Sequence, residues 1–211
     1  HPVKPPTPPE SVMNATDEMN YSIASSELIL GGQKSGKSRR AEMLARYWLA
    51  QDASHRASLI ATGTAWDDEM RARIARHQVD RAERVPGLGT LEEPRDIARL
   101  IRQHSDARTL LVVDCLTLWL TNWLMPAEEA SATGGQDWAE QFALFSSALR
   151  QAPGPIILVG NEIGLGVIPM GREVRAFVDA LGTLNQQVAS ACTRVTLMAA
   201  GLPLSLKDDE K

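Results

Sequence analysis

The residues whose types and spacing point most directly to chemistry are Gly31-Gly-Gln-Lys-Ser-Gly-Lys-Ser38, which match the pattern G-x-x-x-x-G-K-[ST]. An apolar run precedes them and an amphipathic segment follows, so the sequence predicts a strand, a tight loop and a helix. The glycines let backbone N–H groups turn towards phosphate oxygens, and the helix start adds its dipole. Lys37 would supply a positive charge to the β- and γ-phosphates, and Ser38 a hydroxyl to Mg²⁺. The alternative is a glycine-rich turn that binds nothing.

A second carboxylate is expected where a hydrophobic strand ends near this loop. The run Leu110-Leu-Val-Val-Asp114 has that pattern, and Asp114 would hold Mg²⁺ through water. The alternative is that Asp114 caps the helix predicted over Leu116–Met125.

One histidine, His77, lies in a segment whose spacing invites a chemical role. Glu69, Arg73, His77 and Arg81 are four residues apart, which makes them near neighbours along one helical face. An exposed ladder of ion pairs with an incidental histidine explains this spacing as well, so spacing alone does not establish a nucleophile. The other histidines lie in the N-terminal stretch, in a polar connection and in the last turn of a predicted helix (His1, His55 and His104).

The rest of the chain must position these residues, and it alternates short apolar runs with helix-length amphipathic segments. Such runs are typical of parallel strands that are covered on both faces. The predicted strands are Leu28–Leu30, Ser58–Ala61, Leu110–Val113, Ile156–Val159 and Val195–Ala199, with an edge strand at Leu202–Leu206. The predicted helices cover 37–50, 67–82, 94–104, 116–125, 137–151 and 171–191. The pattern indicates an α/β fold, a P-loop NTPase-like (RecA-like) three-layer sandwich with a mostly parallel central sheet.

Length and composition predict one globular domain with a local phosphate site. The chain has 211 residues, 22 Lys+Arg against 26 Asp+Glu, and a formal charge of −4. That charge excludes a general footprint for nucleic acid or an anionic membrane. With neither a secretory signal nor a membrane span in the sequence, a cytoplasmic location is expected. Residues 1–26 are predicted to be a disordered proline-rich tail and residues 27–211 a single catalytic domain.

Several segments together resemble one family, the bifunctional adenosylcobinamide kinase / adenosylcobinamide-phosphate guanylyltransferases of cobalamin biosynthesis. They run in order from about Glu27 to Lys207, and the segments after the phosphate loop are more specific than the loop itself. The matching segments are Gly31–Arg39 with Ala41-Glu42, Ile60–Thr64, Asp67–Met70, Arg73-Ile74 with His77 and Arg81, Thr90 with Glu92, Asn161–Pro169, and Asn185-Gln186.

The resemblance implies two activities on one corrinoid. ATP or GTP would phosphorylate the aminopropanol hydroxyl of adenosylcobinamide, and GMP from GTP would then be transferred onto that phosphate. In the family a histidine carries GMP covalently, and the matching position here is His77. A neutral imidazole is a competent nucleophile, while Lys37 and Mg²⁺ would balance the charge on the leaving pyrophosphate. The resemblance also implies a homotrimer.

The same resemblance assigns residues to the nucleotide. Glu92 would accept hydrogen bonds from guanine, although a first-turn helix acid before Pro94 is an equal alternative. Asn161–Pro169 is assigned to the active-site mouth or to a subunit contact. The nucleotide-binding residues implied are Gly31, Gly32, Gln33, Lys34, Ser35, Gly36, Lys37, Ser38, Thr62, Gly63, Thr64, Gln78, Val79, Asp80, Arg81, Glu92 and Asp114.

Two other functions remain open at this point. A monofunctional P-loop kinase of another small alcohol would not need His77. A nucleotide-binding module without turnover would not need Lys37, Ser38 and Asp114 together.

Overall fold

The computed structural model describes residues 21–64, 68–125 and 138–210. Seven strands in that part form one sheet: β1 (Ser26–Gly31), β2 (Arg56–Ala61), β3 (Leu88–Glu92), β4 (Thr109–Asp114), β5 (Ile156–Val159), β6 (Arg194–Ala199) and β7 (Leu202–Asp208). Their order is β3-β2-β4-β5-β1-β6-β7. All neighbouring strands are parallel except β6 and β7, which are antiparallel. The predicted α/β fold with a mostly parallel sheet is therefore confirmed.

Helices connect the strands. In chain order they are α1 (Lys37–Gln51), α2 (Asp68–Arg84), α3 (Ile97–His104), α4 (Leu116–Leu124), α5 (Trp138–Gln151) and α6 (Arg172–Ala191). Each lies within a few residues of a predicted helix. None of the helices in the described ranges is long and apolar enough to cross a membrane.

The sheet has an apolar core on each face, which explains why its inner strands are apolar without alternation. Leu28 and Leu30 of β1 face a core formed with α3, α4, α5 and α6. Ile29 faces the opposite core, which contains Ala41 and Leu44 of α1. Because successive strand residues point to opposite faces, one continuous apolar run supplies both cores. This arrangement is the predicted three-layer sandwich.

The strand β3 is not among the strands predicted from the sequence. Its residues Leu88–Glu92 are half-buried or exposed because β3 is the outermost strand of the sheet and, among the described strands, pairs with β2 alone. A strand at an edge needs few apolar residues, so it carries little hydrophobic pattern.

The folded part begins several residues before the predicted boundary at Glu27. Ala24 is buried, Ser26 is the first residue of β1, and the Arg194 guanidinium donates to the Ser22 carbonyl at 2.7 Å. Residues 1–20 of the predicted tail lie outside the described residues.

An aromatic cluster in the larger core gives a test of packing. Phe145 is fully buried, and its ring centroid lies 4.9 Å from that of Trp119. We expect Phe145→Ala to lower the free energy of unfolding by about 3–5 kcal/mol in urea titrations, because it leaves a cavity. Leu144→Ala, at a side chain that is 37% exposed, is the matched control and should cost about 1 kcal/mol or less. Equal losses in the two variants would contradict this account of the core.

Candidate functional site

The phosphate loop lies between the central strand β1 and helix α1. Gly36 adopts a left-handed conformation with φ of 103°, and its carbonyl accepts the first helical hydrogen bond from Arg40 at 2.9 Å. The buried Lys37 side chain folds back so that its Nζ donates to the Gly32 carbonyl at 2.6 Å. Burial lowers the pKa of Lys37, and the nearby Cys115 and Asp114 oppose that shift. The ammonium group is thus held within the loop.

Asp114 is brought to this loop by the sheet, since β4 ends at the same edge as β1. Ser38 lies near enough to Asp114 to act on its carboxyl group, so the two predicted Mg²⁺ ligands are neighbours. Burial raises the pKa of Asp114, while the Arg81 guanidinium at 4.0 Å and the Ser38 side chain oppose that rise. The alternative role as a helix cap is wrong, because Cys115 is the N-cap of α4 and its Sγ accepts from the Leu118 N–H.

Ser38 and Asp114 fit a magnesium ion. They offer a hydroxyl and a carboxylate side by side, and Mg²⁺ prefers a few protein oxygens completed by phosphate and water oxygens. Among the described residues no group of His, Cys, Asp and Glu side chains could hold a metal ion by itself. An ion at Ser38 and Asp114 would therefore depend on a bound nucleotide for its remaining ligands.

Thr62, which follows β2, has a buried side chain that ties two strand ends together. Its hydroxyl donates to the Cys115 carbonyl at 2.7 Å and accepts from the Cys115 N–H at 2.9 Å. Its carbonyl accepts from the Asn122 side-chain amide at 2.8 Å. The hydroxyl is thus occupied within the protein, whereas Gly63 and Thr64 are half-exposed beside it. Sequence reasoning missed Asn122, whose only signal was a polar side chain inside the apolar segment of α4.

Glu92 is the last residue of β3 and pairs in register with Ala61. Its Oε1 accepts from the Gln78 side chain of α2 at 3.2 Å. The alternative that Glu92 sits in the first turn of a helix is wrong, since α3 begins at Ile97 and is capped by Asp96. The structure therefore brings Gln78 and Glu92 together, as a shared role at the nucleotide would require.

The remaining predicted residues differ in exposure. Val79 and Asp80 on α2 are exposed, and so are Gln33 and Lys34 in the phosphate loop. His77 lies in helix α2, one turn before Arg81, and its side chain is outside the described residues.

The segment Asn161–Pro169 begins beside the phosphate loop. The Glu162 N–H donates to the Gly31 carbonyl at 3.0 Å. Further along, the segment exposes large apolar side chains, with Leu165 81% and Val167 96% exposed. Its start is at the mouth of the site, which is one of the two predicted places.

A phosphate loop at the end of a central parallel strand, with a lysine inside it and a carboxylate at the end of a neighbouring strand, defines a P-loop nucleotide-binding protein. At the level of the fold, the flagellar accessory protein FlaH from Methanocaldococcus jannaschii is similar, with a TM-score of 0.52, 12% identity, and coverage of 95% of this chain and 87% of that one. Residues 27–206 match the sequence model of the cobinamide kinase / cobinamide phosphate guanyltransferases, and the chain belongs to that family.

Named relatives agree with this assignment. The chain is 46% identical to the bifunctional adenosylcobalamin biosynthesis protein CobP of Pseudomonas aeruginosa, over 87% of this chain and 98% of the relative. It is 32% identical to the bifunctional adenosylcobalamin biosynthesis protein CobU of Escherichia coli, over 85% and 98% respectively. The resemblance found in the sequence is confirmed, and the chain is an enzyme of a bifunctional kinase and guanylyltransferase family.

The packing of the phosphate loop gives a second test. A Cβ on Gly31 would lie 2.5 Å from the Met198 carbonyl oxygen, whereas a Cβ on Gly32 meets nothing within 4 Å. We expect Gly31→Ala to cost about 1–3 kcal/mol of unfolding free energy, measured without nucleotide, because backbone must shift. Gly32→Ala should leave stability unchanged or slightly raised. A Gly31→Ala protein as stable as the Gly32→Ala protein would show that the loop does not pack as described.

Proposed function

We propose that this protein phosphorylates the aminopropanol hydroxyl of adenosylcobinamide with ATP or GTP. It then transfers GMP from GTP to adenosylcobinamide phosphate, giving adenosylcobinamide-GDP and pyrophosphate. The proposal rests on one observation: Lys37, Ser38 and Asp114 lie together at the C-terminal ends of β1 and β4, in a chain of this family. A homotrimer and a cytoplasmic location stay predictions.

In the phosphorylation step the phosphate loop binds the triphosphate through its backbone N–H groups and the start of α1. Lys37 places its charge on the β- and γ-phosphates, which carry most of the developing negative charge. Ser38 and Asp114 would hold Mg²⁺. When bound, the ion would neutralise phosphate charge and hold the phosphate oxygens in place. The corrinoid hydroxyl oxygen forms the new bond to the γ-phosphorus, and the hydroxyl proton passes to water. The bond from the γ-phosphorus to the oxygen that joins it to the β-phosphate breaks, and the nucleoside diphosphate leaves.

In the transfer step His77 is the nucleophile. One imidazole nitrogen forms a bond to the α-phosphorus of GTP. The bond from that phosphorus to the oxygen that joins it to the β-phosphate breaks, and pyrophosphate leaves. A phosphate oxygen of adenosylcobinamide phosphate then attacks the same phosphorus, the P–N bond breaks, and the imidazole is released. Splitting the displacement in this way lets one residue serve both substrates in turn.

The guanine base is assigned to the surface at the C-terminal ends of β2 and β3, beside α2, which is called the cleft edge below. Glu92 is exposed and has carboxylate oxygen left to accept from the guanine N1–H and amino group, with Gln78 beside it. Gly63 and Thr64 line the same edge, while Thr62 holds the backbone there. The other residues proposed to contact the nucleotide are Gly31, Gly32, Gln33, Lys34, Ser35, Gly36, Val79, Asp80 and Arg81.

Covalent labelling tests the transferase half. After incubation with Mg²⁺ and α-labelled GTP, we expect denatured wild-type protein to retain label that is acid-labile and base-stable, as a phosphoramidate is. His77→Ala should retain none, because the nucleophile is gone. His104→Ala is the matched control, since His104 is exposed at the end of α3 and should leave labelling unchanged. If wild-type protein binds GTP but takes up no label, the proposed guanylyl transfer is wrong and a monofunctional kinase is what remains.

Magnesium dependence tests the kinase half. Asp114→Asn should raise the Mg²⁺ concentration needed for half-maximal phosphorylation by about tenfold or more, because a neutral amide is a poor ligand for a hard cation. Asp209→Asn, at an exposed carboxylate in the turn after β7, should not change it. The measurement is a magnesium titration of initial rates at saturating ATP. An unchanged titration curve for Asp114→Asn would exclude Asp114 as a ligand.

A further inference from the structure

A buried carboxylate joins the phosphate-loop helix to the helix that contains His77. Glu42 lies on α1, four residues after Ser38, and is only 4% exposed. The Arg84 guanidinium donates two hydrogen bonds to this carboxylate, from Nε to Oε2 at 2.8 Å and from Nη2 to Oε1 at 3.1 Å. Arg81 Nε lies 3.6 Å from Oε1 of the same carboxylate. Both arginines belong to α2.

Arg81 has little else to hold it. Its side chain is about nine-tenths buried, and its Nε makes no hydrogen bond within the described part of the chain. Its Nη2 points towards Asp114 Oδ2 at 4.0 Å. A buried guanidinium is costly without a nearby negative charge, so the Glu42 and Asp114 carboxylates together set its orientation.

Among the side chains of α2 that the structure describes, apolar anchorage is weak, so polar contacts matter more for this helix. Its Ile74 is half-buried and Val79 is 58% exposed, whereas Val85, directly after the helix, is buried in the core with α1. Most helices are held by an apolar face packed on the core. For the described side chains of α2, the ion pairs to Glu42 and the Gln78–Glu92 hydrogen bond do much to hold the helix in place.

We infer that Glu42 is a positioning residue for guanylyl transfer: it anchors α2 to the phosphate-loop helix through Arg84 and Arg81 and thereby sets where His77 stands relative to the bound triphosphate. This inference rests on the proposed function. The phosphorylation machinery lies on β1, α1 and β4, which pack against one another through apolar contacts that do not involve Glu42. Loss of the anchor should therefore separate the two activities.

The experiment measures both half-reactions on the same preparations. For Glu42→Gln we expect the initial rate of GMP–enzyme formation from α-labelled GTP to fall about 100-fold, because an error of about 1 Å in placing a reacting group costs that much. The rate of ATP-dependent phosphorylation of adenosylcobinamide should keep its wild-type order of magnitude. Glu83→Gln makes the same chemical change at an exposed position of α2 and should alter neither rate.

Two further variants separate positioning from general stability. Glu42→Asp keeps the charge but is one methylene shorter, so it should recover part of the labelling rate. In an Arg81→Gln, Arg84→Gln background the Glu42→Gln change should add little, since its partners are gone. Equal losses in both half-reactions, or no loss of labelling, would overturn the inference.

Hydrogen exchange decides the anchoring without reference to activity. Backbone amides of α2 should exchange faster in Glu42→Gln than in Glu83→Gln, while amides of β1 and β4 exchange alike. Unchanged exchange in α2 would overturn the anchor whatever the enzyme catalyses. Wild-type protein that takes up no GMP would instead overturn the proposed function and the catalytic part of this inference, and exchange would still decide the anchoring part.

Discussion

The phosphate loop is hydrogen-bonded to the segments that follow β5 and β6, the two strands beside β1, and the rest of the site depends on this constraint. On one side the Glu162 N–H donates to the Gly31 carbonyl, and on the other the Gly201 N–H donates to the Ser35 carbonyl. Gly31 also lies so close to the Met198 carbonyl that a side chain there would collide with it. The segments after β5 and β6 therefore set the position of the loop, and with it the direction in which its N–H groups and Lys37 face.

The second requirement is that the C-terminal ends of β2 and β4 lie side by side. Thr62 and Cys115 exchange hydrogen bonds between the segments after β2 and β4, and Asn122 adds a bond from α4. These buried polar groups satisfy one another, so the loops can be irregular without leaving unpaired backbone. Asp114 is held between them, next to Ser38. The cleft edge proposed for guanine is built on the same cross-link.

The two sides of the site are held by different forces. The phosphate side rests on close packing of β1, α1 and β4, which is stiff. For the side chains of α2 that the structure describes, the contacts to the rest of the site are ion pairs to Glu42 and the Gln78–Glu92 hydrogen bond. These ion pairs fix the orientation of α2 relative to α1. A single polar substitution can remove them and thereby change where α2 lies. That contrast gives the two proposed activities separate structural supports.

The sequence by itself determined the phosphate loop, the strand end at Asp114, the helix containing His77 and nearly all the helices and strands. These depend on local patterns: glycine spacing, apolar runs and helical periodicity, each of which acts over a few residues. Only the tertiary structure decided that Thr62 turns its hydroxyl to Cys115, that β3 pairs at the sheet edge, and that Glu42 joins α1 to α2. The physical reason is that these contacts join residues far apart in the chain. A buried polar pair has no sequence period, and its partners become neighbours only when the strands and helices pack.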